Sequence, residues 1–374
     1  MNSKRFVVIA FGGLIFIFIS LCLSFVFGGY VTERFSNAAF NRFKKNTFNK
    51  SELPDLKGAY FFKNASRMRS LQPLDEAIWH TAKDAGYMKA NDPVLGIYLD
   101  NQARALPWWI MKNYKIANLV LDDHPMLIIF SEICSSGAAF YSTINDRRHT
   151  FRAVGMFNGT ILLSDIETGS YWAPFAGEAL AGVLKGAQLK RLPLYQCKWS
   201  EWLALNPATL VLYGEPELRE GPGKDYRPGE AGKFDKFMRT MILNPPNEAL
   251  PPNELVLGIE LNGKARAYPL SRLSEMGVVV NDTLAQQPIA LIHQPGTTLA
   301  LAHLRQIGDT VLTFAKTETE NIVDQQTRSS WNYRGEAIEG QFTGEQLPFV
   351  ASWIEEWYIW SAFHPQTEVY NHYE

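Results

Sequence analysis

At 374 residues, with 46% hydrophobic and 20% charged side chains, the chain has the composition of folded globular material and the length for two or three cores. Its formal charge of -2, from 36 Lys+Arg against 38 Asp+Glu, supplies no field that would gather nucleic acid. Three cysteines, Cys22, Cys134 and Cys197, exclude a disulfide-rich scaffold and a four-thiolate zinc site.

After a short tail over residues 1–5, Phe6 to Val31 carries no charged side chain and exceeds the ~20 apolar residues that cross a bilayer. This predicts an uncleaved transmembrane anchor over residues 6–31, because a cleaved leader has a shorter apolar region and a small-residue cleavage site. The flanking charges, Lys4 and Arg5 before the anchor and Arg34, Arg42, Lys44 and Lys45 after it, favour a cytoplasmic body when counted alone. A long folded domain is nevertheless translocated largely regardless of nearby charge. Residues 32–91 read as a juxtamembrane segment, and Pro73 to Met88 has the apolar spacing of an amphipathic helix.

From there the chain is written twice. Leu95-Gly96-Ile97 and Ala103-Arg104-Ala105-Leu106-Pro107 return as Leu257-Gly258-Ile259 and Ala265-Arg266-Ala267-Tyr268-Pro269 at one constant spacing. Asn118, Asp165, Thr168, Trp172 and Gly177-Glu178-Ala179 find Asn281, Asp324, Thr327, Trp331 and Gly335-Glu336-Ala337 in the same order. Trp199, Trp202, Thr209 and Val211 find Trp357, Trp360, Thr367 and Val369. The expected domains are a first repeat over residues 92–213 and a second, divergent one over residues 254–374. Between them lies a Gly/Pro/charged connector over residues 214–253, whose Gly221-Pro-Gly-Lys224 lacks the spacing of a phosphate loop.

Within each copy, alternating Val94 to Asp100 and Glu254 to Leu261 run into Asp100-Asn101 and Asn262-Gly263, which predicts a β-hairpin. Leu106 to Tyr114 reads as a short helix entered through Pro107. Pro125 to Phe130 and Pro288 to His293 read as central strands, with further strands at Thr150 to Val154 and Val311 to Ala315. Lys198 to Leu205 and Ile354 to Phe363 read as helices closed before Pro207 and Pro365. The fold class is α+β: a β-rich domain with short helices, duplicated in tandem, after one transmembrane helix.

Four side chains of the first copy are candidates for catalysis. Cys134 follows a central strand and would need a base such as His149 or His124 to act as a nucleophile; its other reading is a small buried thiol. Cys134 and Cys197 stand either as one bridge in an oxidising compartment or as two independent thiols. Asp165 and Glu178 are carboxylates that suit acid–base work on a glycoside, whereas Asp165-x-x-Thr168-Gly-Ser170 equally suits a hydrogen-bonded turn with Trp172 behind it. His293 and His303, with Asp282 or Glu336, are metal candidates without tight ligand spacing. Arg104, Trp172, Glu178, Arg266, Trp331 and Glu336 are the side chains that both copies retain. No motif assigns a cofactor.

Ile97 to Pro107, Phe130 to Gly137, Asp165 to Trp172 and Trp199-Ser-Glu-Trp202 up to Val211 resemble the prokaryotic domain of unknown function family 3179. The resemblance is good over residues 92–213 and looser over 254–371, and it implies an exported or membrane-attached protein with its body outside the cytoplasm. Family members carry Cys-Pro-x-Cys-Gly-Thr after the central strand and Trp-His-Glu before it. Here Ser131 and Cys134 stand at the two cysteine positions, Tyr114 at the histidine, and Gln294 and Thr297 replace both cysteines in the second copy. A membrane-anchored binding or scaffold module with a degenerate family site follows, its partner a protein, a glycan or a small ligand. An extracytoplasmic enzyme using Cys134 or the first-copy carboxylates is the alternative.

Overall fold

The structure is a computed structural model that describes residue 45 and residues 47–63, 71–220, 241–244, 247–317 and 321–371. The anchor expected over residues 6–31 lies outside the described residues, and no helix among these is long and apolar enough to cross a membrane. What is described is β-rich, with four short α-helices among the described residues: α1 (Trp108–Tyr114), α2 (Trp199–Leu205), α3 (Leu270–Met276) and α4 (Trp357–Phe363).

Each half begins with the expected hairpin. Pro93–Leu99 pairs with Gln102–Pro107, and Leu255–Leu261 with Lys264–Pro269. The turn residues explain the tightness: Asp100, Asn101, Asn262 and Gly263 all have positive φ, the conformation of a two-residue turn whose twist matches the strands. A strand on either side completes the sheet. Tyr195–Lys198 and Ser352–Glu356 flank the hairpins on one edge, while Leu210–Leu212 and Glu368–Val369 join in parallel on the other.

Trp202 and Trp360 lie on these sheets, and the sheets accommodate them by having no side chain beneath. A Cβ at Gly96 would sit 2.4 Å from the Trp202 ring, and one at Gly258 would sit 2.1 Å from Trp360. Each indole donates its Nε1–H to a threonine at 2.9 Å, Trp202 to Thr209 and Trp360 to Thr367. These contacts account for Gly, Trp and Thr recurring together: the ring needs the bare strand below it and a partner for its polar edge once buried.

A second sheet in each half is built around His124–Ser131 and Gln287–His293 in central positions. A third holds Phe151–Phe157 with Thr160–Asp165, and Phe314–Lys316 with Ile322–Asp324. One asparagine amide joins the second sheet to the third. Asn118 accepts from Phe151 N at 2.9 Å and donates to Phe151 O at 3.0 Å; Asn281 does the same with Phe314 at 2.9 and 2.8 Å. A buried amide with both ends satisfied specifies one relative placement of the sheets.

Two expected helical stretches are corrected. Pro73 to Met88 is not an amphipathic helix: Leu74 pairs with the edge strand at Ala117, Trp79–Thr81 pairs with Leu210–Leu212, and only Ala82–Asp84 makes a 3-10 turn capped by Thr81. Edge pairing satisfies the backbone there, and it overrides a helical apolar spacing that sixteen residues can show without forming a helix. Ile354 to Glu356 is strand, and α4 starts only at Trp357. The described ends of the connector are packed, with Met241 and Leu250 in the core and Leu243 N donating to Asn158 Oδ1 at 3.0 Å.

The halves also bury each other. One continuous core contains Cys134, Phe140, Trp172 and Phe175 from the first and Trp353, Trp357, Tyr358 and Trp360 from the second. The loop after the central strand of the first half lies on Ser352–Glu356: Ser136 Oγ donates to Ile354 O at 2.8 Å, and Glu356 N donates to Cys134 O at 3.2 Å. Reciprocally, Thr298 Oγ1 donates to Gln196 O at 2.7 Å, and Leu299 and Leu301 pack with Tyr195 and Trp202.

Candidate functional site

The loop that carries Cys134 meets the strand of the other half in a polar part of this interior. Ser131, Cys134, Ser135, Ser136, Gln196, Glu355 and Glu356 are all buried. Cys134 is 0% exposed, with Thr160 Oγ1 3.9 Å from the sulfur and Ser131 also acting on it. Burial pushes the thiol well above its ordinary pKa, and the carboxylates of Glu355 and Glu356 add to the effect. The sulfur is therefore held protonated, the opposite of an activated nucleophile. Cys197 is a second free, buried thiol in a different core, raised first by its own burial.

Glu356 is satisfied: Oε1 accepts from Ser135 Oγ at 2.7 Å and Oε2 from Asn253 at 2.8 Å. Glu355 is not. Its Oε2 accepts from Trp353 Nε1 at 3.2 Å, but Oε1 is buried with no hydrogen-bond partner. Burial above all raises its carboxyl to about 8, against the opposing influence of Trp353 and Arg191. Arg191 lies over two rings, 4.7 Å from Phe140 and 4.3 Å from Trp353, with one guanidinium nitrogen unpartnered. Sequence reading missed Glu355 and Arg191. The available signal was two adjacent acids inside an otherwise aromatic run, Trp353-Ile-Glu-Glu-Trp357.

The other candidates are dispersed. His149 reaches Asp165 at 3.4 Å and Glu167 at 3.9 Å, whereas the groups acting on Cys134 are others; His124 is exposed beside Asp100. Asp165 is fully buried at the end of its strand, accepting from Thr168 N at 2.6 Å and from Trp172 Nε1 at 2.9 Å. Burial works against its charge, but these hydrogen bonds outweigh it and keep the carboxyl below its ordinary pKa. Glu178 is exposed, so the two carboxylates do not face each other across a cleft.

The His149, Asp165 and Glu167 ligand atoms lie within 4.8 Å of one another, the one such grouping among the described residues. The second half shows what they are built on. Asp324 holds Thr327 N and Trp331 Nε1 at 2.6 and 3.0 Å in the same turn, Leu312 stands in place of His149, and Gln326 accepts from Thr313 N as Glu167 accepts from Thr150 N. The turn is complete without a metal-ligating histidine or a second acid.

His293 and His303, expected as metal candidates, are corrected. They sit on adjacent strands, but His293 shares a face with Ile289 and Leu291, while His303 pairs with Ala290 and faces the other way. Side chains on opposite faces of a sheet cannot hold one ion. They occupy the positions of Phe130 and Phe140 in the first half, and burial lowers each to about 4. The retained arginines found different partners: Arg104 grips Asp122 with two bonds of 2.7 Å, and Arg266 bridges Asp282 at 2.7 Å and Glu368 at 2.8 Å. Glu336 pairs with Arg334, which holds its carboxyl low.

Comparison with known proteins bears on the whole of this arrangement. The family described as protein of unknown function (DUF3179) matches residues 72–367, a single match that runs through both halves and the connector. No curated protein and no solved structure matches the chain.

Proposed function

The chain belongs to the DUF3179 family, and on that premise we propose a binding or scaffold module, tethered to the membrane by residues 6–31 with its body outside the cytoplasm. One observation carries the reading: the side chain at the family's second cysteine position, Cys134, is sealed at the junction of the halves as a protonated thiol. Asp165, a catalytic candidate that both halves retain, is spent on a turn. The reciprocal loop-on-strand contacts support a tandem duplication in which each half completes the other, like a two-fold dimer fused into one chain. Its partner is a protein, a glycan or a small ligand.

The test is Cys134 alkylation against pH on the full chain in detergent. A rate that tracks global unfolding is expected. A thiolate titrating well below the ~8.5 of a free cysteine, or turnover that vanishes in Cys134→Ala, would establish the alternative, an enzyme working through that thiol. Protease protection of the body in intact cells, and its loss on permeabilisation, would place the body inside.

A further inference from the structure

We propose that the pocket beside Glu355 is a site for a primary ammonium group, such as an amine or a lysine side chain, held between a carboxylate and aromatic rings. The inference names a ligand class for the binding reading and rests on it. Phe175 of the first half and Trp353, Glu355, Phe363 and His364 of the second line a pocket with room for about one water-sized group. An ammonium head fits that space; a quaternary ammonium does not. Its N–H donors suit Glu355 Oε1, the buried carboxylate oxygen without a hydrogen-bond partner among the described residues. Its charge suits the aromatic side chains in the lining, Phe175, Trp353 and Phe363, which stand beside Pro174 and Ala176.

The charge inventory points the same way. Glu355 is 2% exposed, and no ion pair reaches it among the described residues. Arg191 acts on it from beyond ion-pair distance and is shared with Glu260, while Glu356 adds a further negative charge. His364 lies tilted against Trp360 with ring centroids 4.0 Å apart and is held neutral by burial, and the Cys134 thiol is neutral as well. Glu355 and Glu260 thus share one guanidinium. Burial above all, with the nearby Glu356 adding to it, favours the protonated form of Glu355 when no cation is bound.

The experiment uses the full chain in detergent, with methylammonium chloride against tetramethylammonium chloride at matched ionic strength, followed by thermal unfolding and calorimetry. Methylammonium should raise the midpoint saturably and bind about tenfold tighter at pH 9 than at pH 7, because binding requires the carboxylate. Near pH 7 it should release close to one proton, seen as a dependence of the heat on buffer ionisation. Glu355→Gln, isosteric with the protonated acid, should remove the response. An equal response to tetramethylammonium, an undiminished response in Glu355→Gln, or no saturable response at either pH would overturn the site and leave the pocket to water. The proton count on the unsubstituted chain decides the matter even if the variant does not fold. None of these results bears on the Cys134 turnover test, so the two readings fail separately.

Discussion

At each of the two junctions a loop of one half lies on a strand of the other, but the chemistry is opposite. At one, the Cys134–Ser136 loop lies on a strand that ends in Glu355 and Glu356, with Arg191 alongside. At the other, the Thr297–Leu299 loop lies on a strand that ends in Cys197 and Lys198, and apolar contacts of Leu299 and Leu301 dominate. The drier junction shows that the contact does not need buried carboxylates. Buried ionisable groups are costly unless paired, so their presence at the first junction is a cost that packing alone leaves unexplained.

The comparison breaks most visibly at the indoles. Trp202→Ala and Trp360→Ala should each cost about 3–5 kcal/mol by chemical unfolding. Both indoles sit in clusters that span the halves, so equal losses would mean that the halves melt as one body, and a larger loss for Trp360 would rank its cluster as the main shared core.

Acid should separate the halves next. His293, His303 and His364 all lie in the second half with pKa values lowered to about 4 by burial, against about 6.5 when unfolded. The unfolded chain takes up the protons first. Stability is therefore fully present above pH 6.5 and is lost as the pH falls towards 4, by up to about 3 kcal/mol for a fully buried ring such as His303. His293→Phe and His303→Phe, copying Phe130 and Phe140, should flatten that slope in a midpoint-against-pH series. An unchanged slope would assign the acid sensitivity elsewhere.

At the junctions themselves, Ser135→Ala leaves a buried Glu356 oxygen without its donor and should cost about 1–3 kcal/mol. Thr298→Val, at the half-exposed counterpart, should cost less, about 0.5–1.5 kcal/mol. Reversal of that order would deny the first junction its special polarity. The smallest effect is expected where the second half already provides the control: His149→Leu and Glu167→Gln, copying Leu312 and Gln326, should change stability by less than about 0.5 kcal/mol in thermal unfolding.

Much of the fold was legible before any coordinates. Asp100-Asn101 and Asn262-Gly263 announce hairpin turns through residues that tolerate positive φ, and Pro107 and Pro207 mark helix boundaries because proline constrains the backbone locally. The recurring Gly96, Trp202 and Thr209 pointed to a repeat, although the reason for their company, an indole lying on a bare strand, is a contact between distant segments. Pro73 to Met88 misled because apolar spacing is blind to an edge strand waiting to be paired.

By itself, the sequence determined what short-range physics determines: turns, helix boundaries, strand alternation, an apolar segment at residues 6–31 and the order in which elements recur. Tertiary structure alone decided which polar groups share a space. It sealed Cys134, turned His293 and His303 to opposite faces, and brought Glu355 beside Arg191 and Phe175 from the other half. The physical reason is that desolvation and charge pairing depend on distances in space between residues far apart in the chain, and no local pattern encodes those distances.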